Sequence, residues 1–77
     1  MTKKSLIDLV PGETARIEHL SGSKPLIRRL ISLGVTPGSQ VLFVRRAPLG
    51  DPLQVSVAGC QLSIRASEAQ QVKVNPN

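Results

Sequence analysis

Proline and glycine corners cut this chain into apolar runs too short to fold alone, and that punctuation limits the fold more than any other feature. Pro11-Gly12 and Pro37-Gly38 are two such corners, a third is the stretch Ala47-Pro48-Leu49-Gly50-Asp51-Pro52, and Ala58-Gly59 is a fourth. Proline presets the first central position of a turn and glycine tolerates the positive φ of the second in type II geometry. Between the corners, apolar residues alternate with polar ones, the signature of half-buried strands. Ala15 and Ile17 face inward in the run 13–18. Leu53, Val55 and Val57 alternate with Gln54, Ser56 and Ala58, and Cys60, Leu62 and Ile64 with Gln61, Ser63 and Arg65. Ala58-Gly59 joins the last two runs as a two-residue hairpin, which sets Val57 opposite Cys60 and places Cys60 on the inward face. Val41 to Val44 is apolar on both faces, so this strand is expected to be covered on both sides. Val72 and Val74 mark a final short strand, preceded by one helical turn at Ser67-Glu68-Ala69.

One segment carries a different period. After the flexible link Ser21-Gly22-Ser23, Leu26, Leu30 and Leu33 recur at helical spacing over residues 25–33, with Ile27 and Ile31 beside them and Arg28, Arg29 and Ser32 opposite. Ser23 is the expected N-cap, Pro25 fits the first turn, and Gly34 supplies the left-handed stop. Leu26, Leu30 and Leu33 are expected in the core. Ile27 and Ile31 serve equally well as core or as an exposed contact for a partner or a second copy. The corners also repeat: Pro11-Gly12-Glu13-Thr14-Ala15-Arg16-Ile17 and Pro37-Gly38-Ser39-Gln40-Val41-Leu42-Phe43 share a turn, two polar residues and a strand, one chemistry used at two entries into one sheet. The sum is a mainly β domain over residues 1–77 with about five strands and one α-helix inserted after the first strand. Strands this short expose their edges when laid flat, so closure into a small SH3-like β-barrel is expected, the helix lying across one opening.

Composition narrows the function. A chain of 77 residues buries only ~60% of its unfolded surface, leaving little room for a deep catalytic cleft. Phe43 is the only aromatic residue, so the core is aliphatic and no platform exists for stacking nucleic acid bases. The formal net charge is +5, but the basic residues form no run, and their only adjacent pairs are Lys3-Lys4, Arg28-Arg29 and Arg45-Arg46. No nucleic acid partner is expected. Cys60 is the single cysteine, so no internal disulfide is available. Residues 1–10 lack the apolar segment of a signal peptide, no stretch reaches the ~20 apolar residues of a membrane span, and a cytoplasmic protein is expected.

Reactive constellations are missing. His19, Cys60 and the acids Asp8, Glu13, Glu18, Asp51 and Glu68 form no metal-ligand spacing, and Glu18 and His19 point to opposite sides of a strand. There is no glycine-rich phosphate loop, and an inward Cys60 reads as a small core residue. No metal, no cofactor and no enzymatic activity are expected. What stands out is the loop 47–52. Pro48 and Pro52 restrict it, Gly50 lets it reverse, and Asp51 caps nearby backbone N–H groups. A stiff loop presenting Leu49 beside Arg45 and Arg46 loses little entropy on binding. The candidate contact residues are therefore Ile27, Arg28 and Ile31 on the helix, with Arg45, Arg46, Leu49, Gly50 and Asp51 at the loop.

Three landmarks in order, "LVPGE" at 9–13, "LISLGVTPGS" at 30–39 and "VRRAPLGDPLQVSVAG" at 44–59, make the chain resemble the FeoA family across residues 6–74. The third landmark is the most specific. The resemblance implies an SH3-like barrel with an inserted helix and a cytosolic accessory role in bacterial ferrous iron uptake. It implies partnership with FeoB, the permease whose cytosolic part binds GTP, to which any GTP chemistry would belong. The alternative is a regulatory module like the SH3-like domain of iron-dependent repressors, or a metal sensor. With no second helix to complete a helix-turn-helix, the chain is not a whole repressor.

Overall fold

The computed structural model describes residues 4–76. Lys3 of the first basic pair and the outermost residues of the expected 1–77 domain lie outside the described residues. Six strands form one antiparallel sheet: β1 (Lys4–Ser5), β2 (Thr14–Leu20), β3 (Gln40–Arg46), β4 (Leu53–Val57), β5 (Cys60–Ile64) and β6 (Val72–Pro76). A 3-10 turn at Leu6–Asp8 follows β1, helix α1 (Lys24–Ser32) follows β2, and a single-turn helix α2 (Ala66–Ala69) follows β5.

The two Pro-Gly corners explain the middle of the sheet. Each is a turn closed by an i to i+3 bond, Glu13 N–H to the Val10 carbonyl at 3.0 Å and Ser39 N–H to the Thr36 carbonyl at 3.1 Å. Gly12 and Gly38 hold φ of 89° and 93°, a region that side chains with a Cβ adopt only at a cost. Each corner then bonds into the other's strand. Gly12 N–H donates to the Phe43 carbonyl at 2.8 Å, and Gly38 N–H to the Ile17 carbonyl at 2.7 Å. Phe43 N–H returns to the Glu13 carbonyl at 2.9 Å, and Ile17 N–H to the Ser39 carbonyl at 2.8 Å. Phe43 and Ile17 stand at the same offset from their prolines. The repeated sequence is a two-fold arrangement of β2 against β3, centred on the Ala15–Val41 pair.

The sheet is not a closed barrel, which corrects the expected architecture. Its order is β1-β6-β2-β3-β4-β5, so β1 and β5 are edges that do not pair with each other. Leu6, Leu9, Leu30, Val35 and Ala69, from the helical segments and their connections, are fully buried in the same core as the inward strand residues. These segments close the core where a strand seam was expected. The helix follows the second strand, not the first, because the two residues of β1 pair with β6, Lys4 with Val74 and Ser5 with Lys73. A strand of that length leaves no period to read.

Other expectations shift for related reasons. β2 runs on to Leu20 through a bulge between Ile17 and His19, so Leu20 and not His19 turns inward. β3 is covered on one side only: Leu42 is 38% exposed, on a face shared with Thr14 and Ser56, where no second layer lies. The Ala58-Gly59 hairpin pairs Val57 with Cys60 as expected, with positive φ at both turn residues. Yet Cys60 is exposed, at the hairpin end of β5, which is an edge strand. In α1, Ser23 accepts a hydrogen bond from Leu26 N–H as the N-cap, and only Leu30 is fully buried. Leu26, Ile27 and Leu33 are half-buried against the core. The link before α1 is tied down: Ser21 N–H donates to the Gln71 carbonyl at 2.9 Å and its hydroxyl to Gln71 Oε1 at 2.7 Å.

Candidate docking surface

The loop 47–52 joins β3 to β4 and is fastened at three points. Gly50 N–H donates to the Ala47 carbonyl at 2.8 Å, and Ala47 N–H donates to the Pro52 carbonyl at 3.0 Å. Asp51 Oδ1 accepts from Ala66 N–H at 2.9 Å. The aspartate caps a helix distant in sequence and not its own turn, anchoring the loop to α2. Gly50 sits at φ 90°, and the Asp51–Pro52 peptide is cis. With both ends held, the tip projects Leu49, which is 97% exposed. An apolar side chain is thus held almost wholly in water on a braced loop.

The two arginines beside the loop have different work. The Arg46 guanidinium turns back, donates to the carbonyls of Ile7 and Leu9, and lies over the Phe43 ring with Cζ 5.1 Å from its centroid. It ties the 3-10 turn to β3. Arg45 lies on the outer side, with Nε donating to Gln54 Oε1 at 3.1 Å across the β3–β4 pair. On α1, Arg28 is exposed and Ile31 is 47% exposed, whereas Ile27 packs against the core. The even choice between core and surface thus divides, Ile27 to the core and Ile31 to the exposed side.

The helix and the loop do approach each other, and of the candidate contact residues only Asp51 is among those that meet there. Arg29, Asp51, Pro52, Ser63 and Arg65 line one open depression of about 280 Å³. Glu68, largely buried, bonds to two of these residues. Its Oε1 accepts from Arg65 N–H at 3.1 Å, and its Oε2 lies 3.4 Å from Arg29 Nε. The spacing Arg65 to Glu68 is that of a capping box, in which an acid reaches back to the N-cap N–H, and that was the available signal. Among the described residues, no three of His, Cys, Asp and Glu gather as a metal set. No helix among the described residues is long and apolar enough to cross a membrane.

Comparison with known proteins places this geometry. The FeoA domain family model matches residues 4–76. The solution structure of iron(II) transport protein A from Clostridium thermocellum is 36% identical, with a TM-score of 0.90 over 95% of this chain and 45% of that one. FeoA of Stenotrophomonas maltophilia, solved with zinc, is 32% identical, with a TM-score of 0.80 over 94% of this chain and 89% of that one. It is described as a procaryotic SH3 domain protein possibly acting as a ferrous iron transport activating factor. A manganese-dependent transcriptional repressor, 18% identical, matches all of this chain and 42% of its own with a TM-score of 0.90, a likeness of fold alone.

Proposed function

This chain belongs to the FeoA family, linked to ferrous iron transport, and from that premise we propose that it is a non-enzymatic accessory protein that binds the cytosolic, GTP-binding part of a FeoB-type permease. It works in the cytoplasm as a docking module, and its contact surface is the loop tip with the exposed side of α1. The observation that carries this reading is Leu49, 97% exposed on a loop fastened at Ala47, Asp51 and Pro52. Arg45, Gly50 and Asp51 shape and flank that tip, and Ile31 and Arg28 extend the surface along the helix. Arg46 supports it from behind, and Ile27 holds α1 in place.

The test is capture of the purified cytosolic part of the permease, with its GTP turnover as a second readout. Leu49→Asp and Ile31→Glu are the informative variants, since both side chains are exposed and both proteins should fold. The wild type should bind and alter turnover, and each variant should bind at least tenfold more weakly. Equal binding by folded variants would refute the choice of surface.

The alternative, a regulatory module of the repressor type or a metal sensor, rests on fold likeness. Nucleic acid binding titrated against salt addresses the first, because phosphate contacts give a steep loss of affinity with salt. No measurable binding at physiological salt is expected. Anaerobic titration with ferrous ion addresses the second, and neither heat nor a stability change is expected.

A further inference from the structure

β5 is the last strand of the sheet and has a neighbour on one side only. Ala58 and Gly59 hold φ of 53° and 80°, the geometry of a two-residue type I′ turn. In such a hairpin the flanking residues, Val57 and Cys60, exchange both ladder hydrogen bonds. Alternation from that pair directs the backbone of Cys60, Leu62 and Ile64 toward β4. The N–H and C=O groups of Gln61 and Ser63 then point the other way, to an edge that no strand among the described residues covers. The edge stops at Arg65, whose N–H is taken by Glu68 Oε1 and whose carbonyl accepts from Glu68 and Ala69.

Ser63 also lines the depression shared by Arg29, Asp51, Pro52 and Arg65. Three charged side chains line it, and two are engaged: Arg29 with Glu68, and Asp51 with Ala66 N–H. Arg65 makes no ion pair among the described residues. An open strand edge thus ends beside an unpaired guanidinium.

We infer that the edge of β5 accepts an extended acidic segment of another protein, which adds as a seventh strand. Its backbone pairs with Gln61 and Ser63, and one carboxylate side chain is held by Arg65. Main-chain bonds supply the attachment in this mode, and the side chain supplies the choice. A second copy is a poor occupant. Each copy carries +5, and the segment Cys60–Ile64 followed by Arg65 offers no carboxylate. This surface adjoins the loop that carries Leu49, through Asp51 and Pro52, but it does not depend on the permease as partner.

The experiment is an amide chemical-shift titration of the intact protein with an acetylated, amidated hexapeptide of alternating glutamate and valine. Shifts should centre on Gln61, Ser63 and Arg65, and hydrogen exchange at Gln61 and Ser63 should slow at least threefold. The lysine-valine counterpart should bind at least tenfold more weakly, as should the glutamate peptide to Arg65→Gln. Ser63→Pro removes an edge-facing N–H without touching the β4 ladder, which edge strands tolerate, and it should abolish the shifts. A peptide N-methylated on its edge-facing amides tests the same bonds without altering the protein, and it should not bind. Unchanged affinity of the N-methylated or lysine peptide would overturn the inference. So would inorganic phosphate reproducing the shifts at Ser63 and Arg65 with Gln61 unmoved, which would make the site one for a small anion, or concentration-dependent self-association through β5.

Discussion

The Pro-Gly corner appears twice in this protein and the double-proline loop once, and the two kinds of bend do opposite things. At Pro11-Gly12 and Pro37-Gly38 the glycine N–H reaches across to the neighbouring strand, so each corner is stitched into the sheet. At 47–52 the loop bonds to itself and to α2, and it holds an apolar side chain out in water. Similar residue types therefore build architecture in one place and a surface in another. The difference lies in where the freed hydrogen-bonding groups go: a corner that gives its N–H to another strand cannot change without disturbing that strand, whereas a loop that satisfies its own groups leaves its tip free to vary.

That contrast is open to mutation. The largest effect belongs to Phe43, whose backbone receives the first corner and whose ring fills the core. Phe43→Ala should destabilise by about 3–5 kcal/mol in denaturant titration. Gly38→Ala should cost about 1–2 kcal/mol, because alanine is forced to a φ of 93° even though its Cβ meets no atom. Gly12→Ala should match it within about 0.5 kcal/mol if the two corners are equivalent, and a large disparity would break the two-fold account. Glu68→Ala removes the bond to Arg65 N–H and the ion pair with Arg29, and a loss of about 1–2 kcal/mol is expected in thermal unfolding. The smallest effect belongs to Leu49→Asp, within about 0.5 kcal/mol of wild type, as for an exposed site without packing partners.

The corners, the hairpin and the helix were legible because each rests on local chemistry. Ser23 caps, Leu30 is buried, and Val57 faces Cys60, as short-range rules require. What escaped was set by relations between distant segments. Openness of the sheet depends on whether β1 meets β5, and two residues at Lys4–Ser5 carry no readable period. The exposure of Cys60 follows from β5 being an edge; strand alternation identified its pairing partner but not what would cover it. The same limit applies to the site. Residues 45–51 stood out by composition, yet the division of labour between Arg45 and Arg46 required the positions of Gln54, Ile7 and Leu9. The depression beside Ser63 joins α1, the loop and the end of β5, three segments with no shared pattern in the chain.

Isothermal titration of the permease's cytosolic GTP-binding part against wild type and Leu49→Asp, with thermal unfolding of both, bears most directly on the loop as a surface. Midpoints within about 4 °C of each other and at least a tenfold loss of affinity in the variant are predicted. Equal affinities, or a variant that binds poorly only because it unfolds, would contradict the account and return the loop to the same structural role as the Pro-Gly corners.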